Sequence, residues 1–221
     1  MSINLKLPVL YSYWRSSCTW RVRIALNLKG IEYKTEIVDL LKGEQRKSRL
    51  LDKSTFGMIP VLTVGDDVAI YDSLAIIEYL EEKYPDRKTL LPGSVENRAK
   101  IRAIALQIIA NLQPLQNLRV LIHHSDDQTQ RKAWAQHWII DSFRRLEKVL
   151  AGTAGRYSVG DELSLVDACL PPQVYNARRF GVDLSEFPTI VRLDETLAKI
   201  PEFVAADCFH QPDTPADEKR A

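Results

Sequence analysis

The stretch Val9-Leu10-Tyr11-Ser12-Tyr13-Trp14-Arg15-Ser16-Ser17-Cys18-Thr19-Trp20-Arg21-Val22 decides how this chain folds. Val9–Tyr13 is rich in β-branched and aromatic residues and predicts a strand. Cys18–Leu28 carries Val22, Ala25 and Leu26 on one side and ends at Lys29-Gly30, which predicts a helix. A strand that turns directly into a helix gathers unpaired N–H groups and the positive end of a helix dipole at one point. Such a point attracts anions and lowers the pKa of a thiol. Here it carries the hydroxyls of Ser16 and Ser17, the Cys18 thiol, and flanking Arg15 and Arg21, a place suited to holding a thiolate.

The pattern continues outward through the first 85 residues. Tyr33–Val38 predicts a second strand and Glu44–Leu51 a short polar helix. Val61–Val64 and Val68–Tyr71 are two short apolar runs joined by Gly65-Asp66-Asp67, a hairpin signal. Ser73–Tyr84 predicts a helix with Leu74, Ile77 and Leu80 at helical spacing and Pro85 after it. The order, βαβ and then αββα, predicts a small mixed sheet with helices on it. Residues 86–92 are punctuated like a linker. Beyond it the chain reads as all helical. One apolar stripe runs Ile101, Ile104, Ile108, Ile109, Leu112, and another Ile139, Phe143, Leu146, Leu150. The expected partition is an α/β domain over 1–85 and an all-α helical bundle over 93–221, with the polar end from Pro212 loose.

The 30 basic and 29 acidic residues among 221 nearly cancel. No basic block points to nucleic acid. The three scattered cysteines fit a reducing compartment better than a disulfide framework. With neither a secretory leader nor an apolar run long enough to span a bilayer, the expectation is a cytoplasmic protein without a membrane partner.

Further positions carry two readings each. Pro60 opens a strand, where a proline without a donor is ordinary punctuation. Alternatively, a cis Ile59–Pro60 bond turns the backbone of Ile59 toward an extended peptide ligand. Ser73 is expected to cap the helix after it; the same helix start, with Asp72, matches the carboxylate and ammonium of an α-amino acid. Cys18 lacks the partner of a C-x-x-C motif, so it is a nucleophile or, the favoured reading, a helix residue beside the site. Ser164-Leu165-Val166-Asp167 is a capping box, read as structural. Pro171-Pro172 is expected to start or bend the segment after it. Gln113-Pro114-Leu115-Gln116-Asn117-Leu118-Arg119 places amides and an arginine at a proline kink, a candidate ligand wall. Arg178-Arg179 is solvated surface unless the ligand is a dicarboxylate. His123 and His124 are adjacent and point apart, and no other cluster has metal-ligand spacing, so no metal is expected.

The run from Tyr11 to Leu26 resembles the signature of zeta-class glutathione transferases, the maleylacetoacetate isomerases. The likeness continues through Ser73–Glu81, Gln113–Leu118, Tyr157–Asp161 and Gln211–Pro215, covering nearly the whole chain in order. It implies a glutathione transferase fold: a thioredoxin-like first domain, a helical second domain and a homodimer. Glutathione as cofactor is implied, with Ser16, Ser17 and Cys18 as the catalytic segment and Thr19, Trp20 and Arg21 beside it. Gln45, Ile59, Pro60, Asp72 and Ser73 would hold the rest of glutathione, with Gln113, Asn117, Leu118 and Arg119 from the helical domain. Arg15, Arg119 and Arg179 are candidates for the carboxylates of a dicarboxylate substrate. The implied reaction is cis-trans isomerisation of maleylacetoacetate by thiolate addition, bond rotation and elimination, in tyrosine and phenylalanine breakdown. A maleylpyruvate isomerase and a transferase acting on α-haloacids are the neighbouring readings; a non-catalytic assembly module is the reading of another class. Two departures touch the glutathione site. Asp72 stands where the family usually has glutamine or glutamate, and Ser54-Thr55-Phe56-Gly57-Met58-Ile59-Pro60 replaces the more usual Asn-Pro-Gln-Gly-Leu-Val-Pro.

Overall fold

The computed structural model describes residues 6–65 and 67–220; Asp66, within the expected hairpin turn, lies outside them. Backbone contacts divide the chain into two units. One runs up to Lys88 and resumes at Pro201; the other is Thr89–Ile200.

The first unit opens with strand β1 (Val9–Ser12), helix α1 (Ser17–Leu28) and strand β2 (Lys34–Ile37), followed by a 3₁₀ turn (Glu44–Arg46) and the short helix α2 (Ser48–Leu51). Strands β3 (Val61–Val64) and β4 (Val68–Tyr71) and helix α3 (Ser73–Lys83) complete the pattern. The sheet order is β2-β1-β3-β4. β1 and β2 run parallel, as a helical crossover requires, and β3 and β4 form an antiparallel hairpin. The expected polar helix over 44–51 is instead two short pieces, because Lys47 is extended between them (φ −91°, ψ 155°). Ile77 and Leu80 of the expected α3 stripe are buried, while Leu74 is only half-buried and Ile76 completes the buried face in its place.

Helix α1 is enclosed on most sides: Trp20, Val22, Ile24, Ala25 and Leu26 are buried, and so are Arg21 and Arg23. It stops as Lys29-Gly30 predicts. Gly30 takes φ 61°, its N–H bonds the Asn27 carbonyl, and the Ile31 N–H bonds the Leu26 carbonyl. These are the two hydrogen bonds of a left-handed helix stop that favours glycine. The Lys29 ammonium meets Glu81 of α3 at 2.9 Å, a buried ion pair between the two helices.

The second unit is helical throughout: α4 (Val95–Leu106), α5 (Leu118–His124), α6 (Gln128–Ala151), α7 (Leu165–Arg179) and α8 (Pro188–Leu197). Both expected apolar stripes are buried. Between α4 and α5 the chain passes through a π-helical turn (Gln107–Leu112) and a 3₁₀ turn (Gln113–Gln116). Pro114, which has no N–H and crowds the preceding turn, falls at the start of the 3₁₀ turn. The Trp134 indole N–H bonds the Leu115 carbonyl at 2.9 Å and ties this bend to α6. The capping box forms at the start of α7, where Asp167 and Ser164 satisfy each other. Pro171 and Pro172 neither start nor end a helix, since α7 runs through both.

Residues from Pro201 onward depart from the expected partition, because they pack with the α/β unit. Helix α9 (Pro201–Ala206) lies against α1. Arg23 Nε donates to the Ala206 carbonyl at 2.8 Å and Asn27 Nδ2 to the Glu202 carbonyl at 3.0 Å. The polar end is not loose as far as Thr214. Asp213 accepts from the Trp14 N–H at 2.8 Å, and the Thr214 hydroxyl donates to the Cys208 carbonyl at 2.7 Å. Among the described residues no helix is long and apolar enough to cross a membrane.

Candidate active site

Strand register decides which segments of the first unit meet. Tyr11 of β1 stands opposite Val61 of β3, and Val61 stands opposite Tyr71 of β4. Ser12 stands opposite Ile37 of β2. Thus β1 and β4 finish, and β3 begins, at the same end of the sheet. The turn to Ser16, the Ile59–Pro60 bond, and Asp72-Ser73 all emerge there. Residues distant in sequence share one sheet end because adjacent strands are less than 5 Å apart.

At the start of α1, the Ser16 N–H closes a turn onto the Tyr13 carbonyl at 3.0 Å. Ser16 is the N-cap, and α1 begins at Ser17, one residue earlier than predicted. The Ser16 hydroxyl oxygen accepts from the Thr19 N–H at 3.3 Å and from the Thr19 hydroxyl at 3.0 Å. A serine oxygen has two acceptor sites and one proton. With both acceptor sites taken by Thr19, the proton is what Ser16 has left to offer. Ser17 is nearly buried in the first turn. Cys18 is half-buried, and its sulfur accepts from Arg21 Nη2 at 2.9 Å. Thr19, Trp20 and Arg21 have buried side chains. Arg15 is half-exposed with its guanidinium 5.1 Å from the centre of the Trp14 ring.

The Ile59–Pro60 bond is cis, the alternative to simple strand punctuation. Ile59 precedes the ladder, which starts at Val61. Gln45 lies beside this segment, since a side-chain carbon on Gly57 would come within 3.2 Å of the Gln45 carbonyl oxygen. The Phe56 and Tyr71 rings, 5.0 Å apart, link the same segment to the start of α3. The side-chain oxygen of Gln45 is buried with no hydrogen-bond partner among the described residues. An orphaned buried acceptor costs free energy unless something donates to it, so this position fits a ligand N–H.

The start of α3 corrects one expectation. The N-cap is Asp72, not Ser73, which is the buried first residue of the helix. Asp72 Oδ1 accepts from the Leu74 N–H at 2.8 Å and the Ala75 N–H at 3.4 Å. Asp72 does this at φ 73°, a left-handed conformation uncommon outside glycine and costing of order 1–3 kcal/mol. Aspartate is among the side chains that best tolerate it, and its short carboxylate reaches back to the helix N–H groups.

In the second unit, Gln113 Nε2 donates to Asn117 Oδ1 at 2.7 Å across the 3₁₀ turn. Asn117 is the residue before α5, and Leu118 and Arg119 occupy its exposed first turn. Arg178 and Arg179 end α7 differently. Arg178 pairs with Asp194 at 2.6 Å, and Arg179 stacks on the Phe180 ring with 4.6 Å to its centre. Among the described residues no group of three or more histidine, cysteine, aspartate or glutamate side chains could hold a metal ion.

Two residues next to the site escape pattern reading. Arg23 is fully buried on α1, and burial lowers its pKa to about 10, still protonated at neutral pH. Asp213 arrives from the far end of the chain, and burial raises its pKa. No local spacing marks either one.

The chain matches the family model of the glutathione S-transferase N-terminal domain over residues 15–83 and that of the C-terminal domain over residues 115–205. It is 50% identical over 212 residues to a probable maleylacetoacetate isomerase 2 of Drosophila melanogaster, covering 95% of this chain and 92% of that protein. A solved structure of a maleylacetoacetate isomerase from Anaeromyxobacter dehalogenans, with dicarboxyethyl glutathione and citrate bound in its active site, is 41% identical with a TM-score of 0.85, covering 95% of this chain and 98% of that one. A holo structure of a maleyl pyruvate isomerase, a bacterial zeta-class glutathione S-transferase, is 38% identical with a TM-score of 0.90, covering 94% of this chain and 100% of that one.

Proposed function

We propose, because this chain belongs to the glutathione S-transferase family and within it to the zeta class of maleylacetoacetate isomerases, that it converts maleylacetoacetate to fumarylacetoacetate with glutathione as cofactor. The observation that carries the reading is the convergence of Ser16, Ile59–Pro60 and Asp72-Ser73 at one end of the sheet. The pathway served is tyrosine and phenylalanine breakdown.

The chemistry glutathione supplies when bound is a nucleophilic thiolate, which a cis alkene conjugated to a carbonyl accepts reversibly while its former double bond rotates. The chain's own work is to bind, orient and stabilise. Ser16 donates its remaining proton toward the thiolate, and the start of α1 adds the positive end of a helix dipole. Ser17 lies beside it in the same turn. Cys18, with its sulfur on Arg21, supports the turn rather than attacking substrate. Ile59 offers its backbone to the cysteinyl unit, in the manner of an added strand. Gln45 receives a ligand N–H. Ser73 and the α3 start take the γ-glutamyl carboxylate, and the second oxygen of Asp72 takes the ammonium.

Arg15, Arg119 and Arg179 are the proposed carboxylate holders. Replacing Arg179 by alanine is expected to lower kcat/KM for maleylacetoacetate about 10- to 100-fold, the worth of one charge-assisted hydrogen bond. The KM for glutathione and the rate with a neutral electrophile should hold. Equal loss on both substrates would remove Arg179 from this role.

The maleylpyruvate reading has its own support in the 38% identity to a maleyl pyruvate isomerase. A homodimer in the cytoplasm is proposed with either substrate. The exposed Phe56 and Tyr71, whose rings meet at a tilt, with exposed Met58 close by in sequence, form an apolar surface of the kind a partner covers. Ultraviolet decay of maleylacetoacetate, with and without glutathione and beside maleylpyruvate, tests the function. No glutathione-dependent decay of either compound would reject it.

A further inference from the structure

We propose that Asp213, together with Arg23, is a positioning residue that clamps the turn leading into the active-site helix; the proposal rests on the assignment of Ser16 and Ser17 above. The turn Tyr13–Ser16 is only four residues long and ends on the N-cap serine. Trp14, at its second position, is held from both sides. Its N–H donates to Asp213 Oδ2 at 2.8 Å, and its carbonyl accepts from Arg23 Nη2 at 3.0 Å. Arg23 is itself fixed, because its other nitrogens donate to the Ser12 hydroxyl at 3.1 Å and the Ala206 carbonyl at 2.8 Å. The end of β1, the turn and the Pro201-onward segment therefore hang on one buried guanidinium.

Asp213 is held in place by its own segment. The Thr214 hydroxyl bonds the Cys208 carbonyl at 2.7 Å and accepts from the Gln211 N–H at 3.1 Å. Gln211 Nε2 bonds the carbonyls of Asp207 and Ala205 at 2.7 and 3.1 Å. Gln211 and Thr214 are buried, which is unusual for polar side chains of this kind. A polar segment ordered this closely onto one turn has a use, and the peptide it grips stands two residues before Ser16. A hydroxyl displaced by about 1 Å from a reacting atom costs on the order of 100-fold in rate. Glutathione's peptide is held elsewhere, by Ile59 and the α3 start, so misplacing the turn should slow chemistry more than it weakens binding.

The test is Asp213→Ala beside Asp213→Asn in the full-length protein. The alanine variant is expected to lower kcat about tenfold or more with KM for glutathione within twofold. The asparagine variant, which keeps an acceptor for the Trp14 N–H, should regain most of it. Hydrogen exchange at the Trp14 amide, measured without glutathione, should accelerate at least tenfold in the alanine variant and stay within threefold of wild type in the asparagine variant. Unchanged kcat or unchanged Trp14 exchange in Asp213→Ala overturns the proposal. So does a loss of kcat matched by equal loss of folded protein in urea titrations of both variants, which would make Asp213 merely structural. Because the exchange readout needs no cofactor, a wild type without glutathione-dependent isomerisation would reject the functional reading while the Trp14 amide still decides the clamp.

Discussion

Replacing Asp167 by alanine is expected to lower the unfolding free energy by about 3–5 kcal/mol, measured as a reduced urea midpoint with an unchanged slope. The carboxylate is fully buried and accepts three hydrogen bonds: the Ser158 N–H at 2.9 Å, the Ser164 N–H at 2.8 Å and the Ser164 hydroxyl at 2.9 Å. Ser158 and Ser164 are fully buried too, so alanine strands three donors that water cannot reach. Each stranded donor costs about 1–3 kcal/mol, less than additively. The loop at Ser158 loses its tie to α7, and α7 loses its cap. Desolvation raises the pKa of Asp167, partly offset by the hydrogen bonds from Ser158 and Ser164. A raised folded-state pKa means that the contribution of this group is fully present below the unfolded carboxyl pKa of about 3.9 and is lost as pH rises through the folded value. Asp167→Asn cannot ionise. Its stability deficit relative to wild type should therefore shrink as pH rises through that value, and a deficit that widens would contradict this.

The capping box was readable because all its parts lie within four consecutive residues. So were the strand-to-helix turn and the βαβ-αββα order, which local propensity and apolar spacing dictate. The stripes Ile101–Leu112 and Ile139–Leu150 followed from period alone. The cap of α3 lies one residue before the expected position, because Asp72 and Ser73 are both good caps and the choice depends on a positive φ that local propensity disfavours. The packing of Pro201 onward on the first unit is hidden from the sequence for another reason. Helical spacing says that a segment is a helix and not what it packs on. What binds it to the first unit is a buried arginine whose partner, Ala206, is 183 residues away. Arg23 reads in sequence as one more basic residue, and only burial shows that its three hydrogen bonds have no water to replace them. The candidate site was legible in parts for the same reason. Each helix start can be found alone, but their meeting depends on the register Tyr11–Val61–Tyr71.

Ser16→Ala is expected to lower glutathione-dependent turnover at neutral pH about 100-fold or more, the usual cost of removing one donor aimed at developing or resident negative charge. Ser16 does two jobs that separate by measurement. As the N-cap of α1 it accepts from Thr19, and losing that cap costs about 1 kcal/mol of stability. As a donor, its one remaining proton stabilises a thiolate, and without it the bound thiol holds its proton to higher pH. The activity of Ser16→Ala should thus recover partly as pH rises, while its stability deficit does not. Ser16→Asp separates the jobs further. Aspartate caps a helix as well as serine does, so stability should return, but a carboxylate beside the sulfur repels the thiolate and activity should stay lost. Ser17→Ala removes a hydroxyl without removing the cap, so turnover should fall while the Ser16–Thr19 cap stays in place. Should Ser16→Ala and Ser17→Ala both keep the wild-type pH profile for kcat, the thiolate is held by neither hydroxyl, and the start of α1 acts through its backbone alone.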